Sequence, residues 1–145
     1  MSDPSSHEVA VVRPEEIAPF FTASRVEADS SFWGFRVIWH EQVHALAVRE
    51  DGRTVGAALF EVAASLAKVR RLVVLPEARR RGYGRAMVTR IEEIANYYNC
   101  HKVSLEVPKD SAAEAFFTAC GYRVEATLPQ HTFKLDVDVL RKFLL

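Results

Sequence analysis

A segment in the middle of the chain, LVVLPEARRRGYGRAM at residues 72–87, constrains the fold more than any other. A strand of buried character ends at Pro76, a basic loop follows, and Gly82 and Gly84 then open a long helix. Glycines let a backbone approach a ligand closely, and the free amides of a helix's first turn favour anions. Four arginines in the same loop can bind phosphate oxygens: Arg79, Arg80, Arg81 and Arg85. The segment therefore predicts a pyrophosphate cradle between a strand and a helix.

The spacing of the loop discriminates between phosphate ligands. A P-loop needs a lysine after the second glycine and a longer gap between the glycines. A dinucleotide-binding fingerprint needs glycine or alanine where this chain has Met87, and it follows an early strand rather than one in mid-chain. The pattern R-x-x-G-x-G, from Arg79 to Gly84, favours coenzyme A instead.

The hydrophobic periodicity predicts alternating helices and strands along the rest of the chain. Strands are predicted at residues 8–13, 44–50, 54–63, 67–76, 101–107, 122–128 and 131–137, and helices at 14–28, 30–42, 84–99 and 111–120. Pro14, Glu15 and Glu16 suit a helix start, and Asp51-Gly52 is a hairpin signal. The order is β-α-α-β-β-β-α-β-α-β-β, which indicates an α/β sandwich around a mixed sheet.

Composition indicates one domain over residues 1–145, with residues 1–7 flexible. Lysine plus arginine balances aspartate plus glutamate at 19 each, so we expect neither nucleic acid nor a membrane as a partner. Cys100 and Cys120 form no zinc spacing or disulfide framework and are expected as buried thiols in a reducing cytosol. The chain shows no signal-peptide core or membrane span, so a cytoplasmic location is predicted.

A second motif, SLEVPKDSAAEAFFTACGY at residues 104–122, supports the same ligand. Together with R-x-x-G-x-G it resembles motifs A and B of the GNAT acetyltransferase superfamily, with Ala113, Phe116, Gly121 and Tyr122 in register. The resemblance extends from residue 8 to about residue 137. It implies a mixed, mostly antiparallel, twisted sheet flanked by helices, in the element order given above.

The resemblance also implies which residues bind acetyl-CoA, or another acyl-CoA, as co-substrate without a metal. Leu72, Val73 and Val74 would bind the pantetheine arm through their backbone. The pyrophosphate would be held by the loop residues Arg79, Arg80, Arg81, Gly82, Tyr83, Gly84 and Arg85. Asp110 stands where the family usually has a helix-capping asparagine that contacts the coenzyme.

The implied reaction is direct acyl transfer to a primary amine, on a small molecule, a protein N-terminus or a lysine. An amine is mostly protonated at neutral pH, so a base helps. Glu106 stands where ribosomal-protein alanine acetyltransferases carry that base, and Glu61 is a second candidate. The family's tyrosine acid is replaced by Phe117, for which Tyr83, Tyr97 and Tyr98 are candidate substitutes. A homodimer would be in keeping with the family.

Two alternatives belong to other functional classes. HEQVH spells the H-E-x-x-H spacing of zinc hydrolases, with His40, Glu41 and His44 as candidate residues. However, the alternation after His44 predicts a strand there, which would separate the two histidines. The replacement of the tyrosine by Phe117 is compatible with a non-catalytic acyl-CoA-binding sensor.

Aromatic residues before the first hairpin are expected either to pack in the core or to shape an acceptor pocket: Phe32, Trp33, Phe35 and Trp39.

Overall fold

The computed structural model describes residues 7–144, which form two compact units divided between Ile38 and Trp39. The predicted flexible segment at residues 1–7 lies, except for His7, outside the described residues. The interpretation of residues 1–145 as one domain stays a prediction. In the part of the chain that the structure describes, no helix is both long enough and apolar enough to cross a membrane.

The first unit contains one long helix, α1 (Pro14–Trp33). Pro14 lies in its first turn with Glu15 and Glu16, as predicted. The chain leaves the helix at Gly34, whose φ of 82° suits glycine and whose amide donates to the carbonyl oxygen of Ser30 at 2.9 Å.

Two predictions for this region are wrong. Residues 30–42 were expected to form a separate helix, but 30–33 continue α1, and 34–41 are irregular because the left-handed glycine ends the helix. The expected strand at residues 8–13 is also not formed: residues 7–13 have no regular structure, and Val9 and Val11 are fully exposed. A β-type sequence adopts a strand only where a neighbouring strand accepts its backbone hydrogen bonds.

The second unit is a six-stranded sheet with two helices. Its strands are β1 (Gln42–Glu50), β2 (Arg53–Ala63), β3 (Leu66–Val74), β4 (Lys102–Pro108), β5 (Arg123–Thr132) and β6 (Leu135–Phe143), and its helices are α2 (Tyr83–Tyr97) and α3 (Ala112–Ala119). The spatial order is β1-β2-β3-β4-β6-β5, and only β3 and β4 are parallel. The predicted mixed, mostly antiparallel sheet flanked by helices is confirmed, and from β1 onward the element order is as predicted.

One face of the sheet packs against α2 and α3 and forms the core. Phe60, Val103 and Leu140 are fully buried there, with Ile91 from α2 and Phe117 from α3 beside them. Because side chains alternate along a strand, the residues between these positions point to the opposite face, which we call the second face. On β4, for example, Ser104 and Glu106 lie on the second face between buried neighbours.

The last hairpin lies further along the chain than predicted. The strand expected at 131–137 would put the turn before His131, but the turn residues are Phe133 and Lys134, with φ of 53° and 62°. Neither residue is a usual choice for positive φ, so the turn has no sequence signal. The C-terminal residues therefore extend β6, with Leu140 buried in the core.

The structure also decides how the HEQVH segment folds. His40 lies in the irregular segment with φ of 45°, and His44 lies on β1, where its ring stacks on Phe60 at 5.2 Å. The expectation that His40 ends a helix is wrong, whereas the strand at His44 is confirmed. A zinc hydrolase needs both histidines on one helical turn, so the geometry on which that alternative depended does not exist.

Candidate functional site

The central parallel pair of strands separates after a short contact. β3 and β4 pair only from Leu66↔Lys102 to Lys68↔Ser104, while β3 continues along β2 and β4 continues along β6. The edge of β3 that faces β4 therefore has no strand partner through Val74. A cleft of about 280 Å³ opens between the two strands, lined on the β3 side by Lys68, Val69 and Arg70 and on the other by Ser104, Leu105, Glu106 and Val139.

The loop after β3 leads directly to the amino end of α2. A short 3₁₀ turn at Pro76–Ala78 follows the strand, and Gly82 stands before the helix with φ of 80°. The first helical hydrogen bond runs from the amide of Ala86 to the carbonyl of Gly82 at 3.0 Å. Within residues 7–144, the amides of Tyr83, Gly84 and Arg85 have no hydrogen-bond acceptor. Such a turn favours an anion.

The two glycines of the loop are required for different reasons. Gly82 adopts a left-handed conformation that other residues seldom tolerate. At Gly84, a Cβ atom would lie 3.0 Å from the ring of Phe116 on α3. The absence of a side chain there lets the first turn of α2 pack closely against α3.

The four arginines of the loop have different surroundings. Arg81 donates to both carboxylate oxygens of Glu50 at 2.5 Å, and this carboxylate raises the pKa of its guanidinium. Arg79 donates to the carbonyl of Val74 at 3.0 Å, and Arg85 makes a long contact to the carbonyl of Ala119 at 3.4 Å. No residue of the described chain pairs with Arg80, whose φ is 65°. Arg80 is therefore the guanidinium most available to a phosphate group.

Both candidate bases lie on the second face, in different electrostatic surroundings. Glu61 on β2 accepts a hydrogen bond from Arg70 at 2.7 Å, and this bond lowers the pKa of the carboxyl group. Glu106 on β4 lines the cleft, and no described residue forms a salt bridge with it. The negative charge of Glu106 acts on Arg70 and contributes to the raised pKa of the Arg70 guanidinium.

A model of the acetyltransferase (GNAT) family matches residues 12–122, which include the cleft strands and the loop. The chain belongs to the GNAT acetyltransferase family. Members of this family transfer acyl groups from acetyl-CoA.

Solved structures of similar fold agree with this family. An acetyltransferase from Bacillus cereus superposes with a TM-score of 0.78 at 21% identity, covering 97% of this chain and 99% of that chain. A protein from Klebsiella pneumoniae described as an acyl-CoA N-acyltransferase is 28% identical, with a TM-score of 0.62 and coverage of 71% and 73%. An acetyltransferase from Bacillus anthracis, solved in complex with acetyl coenzyme A, is 15% identical, with a TM-score of 0.65 and coverage of 69% and 61%.

Phe117, where the sequence resemblance implied a missing tyrosine acid, is buried in the core, and its ring centre lies 5.3 Å from that of Tyr122. The Tyr122 hydroxyl is buried without a hydrogen-bond partner among the described residues, and burial raises its pKa strongly. Of the predicted substitutes, Tyr97 and Tyr98 lie at the other end of α2 and do not line the cleft. Tyr83 alone belongs to the loop.

Asp110 lies in the turn between β4 and α3, with φ of 61°, and its amide donates to Glu114 at 3.1 Å. No contact between its side chain and the loop is observed among the described residues, and its predicted role in coenzyme binding stays a prediction.

Sequence reasoning missed Glu50, Lys68 and Arg70. Glu50 is 31 positions before Arg81, and only the fold brings the two together.

Proposed function

We propose that this GNAT protein is an N-acetyltransferase that moves an acetyl group from acetyl-CoA directly to a primary amine. The observation that carries the proposal is the cleft between β3 and β4, which opens beside an unpaired strand edge and leads to the free amides of α2. An unpaired strand edge can bind the amides of a pantetheine arm, and a helix amino end can bind a pyrophosphate. The acceptor is an amine of a small molecule, a protein N-terminus or a lysine.

Coenzyme binding is assigned to the strand and loop predicted from the sequence. The backbone of Leu72, Val73 and Val74 would pair with the pantetheine arm. The amides from Gly82 to Arg85, with Arg80, would hold the pyrophosphate. Arg79, Arg81 and Arg85 would position the loop through their contacts with Val74, Glu50 and Ala119, respectively. Asp110 is retained as a candidate contact.

Catalysis is assigned to Glu106. The carboxylate, directly or through a water molecule, would take a proton from the incoming ammonium group, because only the neutral amine attacks. The amine nitrogen then forms a bond to the thioester carbon, the carbon–sulfur bond breaks, and the coenzyme leaves as a thiolate. The nitrogen loses its second proton to that thiolate or to water, which gives the neutral amide. With a pKa near 8–9, a thiolate leaves without obligatory protonation, which is compatible with phenylalanine at position 117. Glu61 is the weaker base, because Arg70 lowers the pKa of its carboxyl group.

The test combines an acetyl-CoA titration with a screen of amines that detects the released thiol. We expect Glu106→Gln to lower kcat by roughly 10²-fold or more, as for removal of a general base, while the Kd for acetyl-CoA stays unchanged. Glu61→Gln is the matched control, with an expected change in kcat of less than about tenfold. The proposal fails if the folded protein shows no saturable binding of acetyl-CoA or of any other acyl-CoA.

A non-catalytic acyl-CoA sensor is the second candidate, favoured only by the burial of Phe117 where the family has an acid. A sensor would bind acetyl-CoA without releasing thiol in the presence of any amine. Turnover that depends on Glu106 therefore separates the two functions.

A further inference from the structure

A row of residues crosses the second face of the sheet at the base of the cleft. Glu61 on β2 is paired with Lys68 on β3, Lys68 with Ser104 on β4, Ser104 with Arg141 on β6, and Arg141 with Arg123 on β5. Directly paired residues point to the same face, and neighbouring strands lie about 4.8 Å apart. Ser104 therefore lies between two cationic residues, Lys68 on one neighbouring strand and Arg141 on the other.

The protein offsets only part of the positive charge of this row, because Glu61 acts on both Lys68 and Arg70. The row's one acidic member, Glu61, is bound to Arg70 at 2.7 Å. Within the described chain, neither Lys68 nor Arg141 forms a salt bridge, and the Arg141 guanidinium lies 4.7 Å from the ring centre of Phe143.

Two lysines on the neighbouring strands β4 and β6 do have carboxylate partners. Lys102 on β4 pairs with Glu125 at 2.5 Å, and Lys142 on β6 pairs with Glu92 at 2.7 Å. Lys102 lies on the second face beside the row, whereas Lys142 lies on the face that packs against the helices. Lys68 and Arg141, on either side of Ser104, form no salt bridge within the described chain. An unpaired cation pair beside a hydroxyl donor binds a carboxylate by charge-assisted hydrogen bonds.

Two residues of the row share the cleft with the proposed base, and Arg141 lies next to one of them, Ser104, in the sheet. Lys68 and Ser104 line the cleft, as does Glu106, two residues further along β4. A cleft of about 280 Å³ suits a small molecule. We propose that the acceptor is a small amine that carries a carboxylate, which Lys68 and Arg141 bind across Ser104 while its amine lies at Glu106. This inference rests on the proposed acetyltransferase function and narrows its acceptor.

The strand geometry also sets the length of such an acceptor. Two residues along a strand correspond to about 7 Å. A saturated chain advances roughly 1.2 Å per bond, so about four to five carbons would separate the amine from the carboxylate. An ω-amino acid of that length fits the site better than an α-amino acid does.

The first experiment compares ω-amino acids of increasing length, from glycine upward, with n-alkylamines of the same length, using the full chain and saturating acetyl-CoA. We expect kcat/KM for the best amino acid to exceed that of its matched alkylamine by about tenfold or more, the usual contribution of hydrogen bonds to a charged group. Equal use of the two series overturns the inference but leaves the acetyltransferase function intact. The inference is also overturned if the protein binds acetyl-CoA but acetylates no amino acid in the series. Absence of acetyl-CoA binding, or binding without turnover of any amine at all, counts against the proposed function itself.

The second experiment substitutes the two cationic residues, Lys68 and Arg141. Lys68→Ala and Arg141→Gln should each raise KM for the preferred amino acid by about tenfold, with KM for the matched alkylamine and the Kd for acetyl-CoA unchanged. Lys68→Glu should shift the preference toward diamines. Arg90→Gln, on the exposed side of α2, is the matched control and should leave every constant unchanged. If the cation variants change both series equally, these residues have only a structural role and the inference is wrong.

Discussion

The two cysteines illustrate how burial controls the chemistry of single residues. Cys100 and Cys120 are buried among the core side chains, and burial raises the pKa of both thiols. The thiolate is the form that reacts with alkylating reagents. Both thiols should therefore stay protonated and shielded at neutral pH.

We predict that iodoacetamide modifies Cys100 and Cys120 more than about tenfold more slowly in the native protein than in guanidinium chloride, because unfolding restores both the ordinary pKa and access. Peptide mass spectrometry after timed quenching gives the rate at each cysteine. A short free cysteine peptide under both conditions corrects for the direct effect of denaturant on the reagent. Rapid native labelling of either cysteine would mean that its part of the core opens locally.

The loop arginines show which residue-scale properties could be predicted from sequence. The run from Arg79 to Arg85 predicted a cluster of phosphate donors, and in the structure Arg79 and Arg81 have contacts with Val74 and Glu50. Which arginine stays unpaired could not be predicted. That depends on the left-handed backbone at Arg80 and on the approach of Glu50 from the first hairpin.

This difference leads to a prediction for coenzyme binding. Arg80→Ala should raise the Kd for acetyl-CoA by about tenfold or more, because it removes a charge-assisted contact. Arg81→Ala should raise it less, because Glu50 already binds that guanidinium. Isothermal titration of both variants at fixed ionic strength measures the ratio. A larger effect at Arg81 would show that Glu50 releases Arg81 when the coenzyme binds.

At the scale of elements, α3 begins with a side-chain cap. The Ser111 hydroxyl accepts a hydrogen bond from the Glu114 amide at 3.2 Å. The Glu114 carboxylate accepts from the amide of Asp110, one residue earlier than in a standard capping box. The helix is short, so its cap supplies a large share of its local stability.

We predict that Ser111→Ala lowers the free energy of unfolding by about 1 kcal/mol, the usual cost of losing a side-chain cap. Guanidinium denaturation followed by circular dichroism measures the change. Thr89→Ala, at an exposed position of α2, should change the free energy by less than about 0.5 kcal/mol. Equal losses in the two variants would contradict a specific contribution from the cap.

Other element boundaries follow from interactions that sequence patterns do not contain. The turn at Asp51-Gly52 was predictable because glycine adopts its positive φ easily. The turns at Ala64-Ser65 and at Phe133-Lys134 also have positive φ, but pairing between the flanking strands imposes it. The same principle applies to residues 8–13, which form no strand because none of the strands at residues 42–143 pairs with them.

At the scale of the whole molecule, the position of the candidate site follows from the one parallel strand pair of the sheet. Parallel neighbours require a crossover, and here α2 provides it between β3 and β4. The crossover begins at the carboxyl end of β3, so the amides of α2 lie where the two strands have separated. In mixed sheets such strand ends are common binding sites. The sequence predicted the loop and the strands, whereas the separation of β3 from β4 depends on pairing with β2 and β6.

The last prediction concerns the stability of the whole fold in the presence of its proposed co-substrate. A ligand that binds only the folded state adds about 2.7 kcal/mol at a concentration of roughly 100 times its Kd. For a domain of this size, that free energy raises Tm by roughly 5–10 °C. Acetyl-CoA at that concentration should produce such a shift, and Arg80→Ala should reduce it at the same concentration, whereas Arg90→Gln should retain it. Differential scanning calorimetry at several concentrations measures Tm directly. An unchanged Tm at all concentrations would contradict binding of acetyl-CoA to the folded chain.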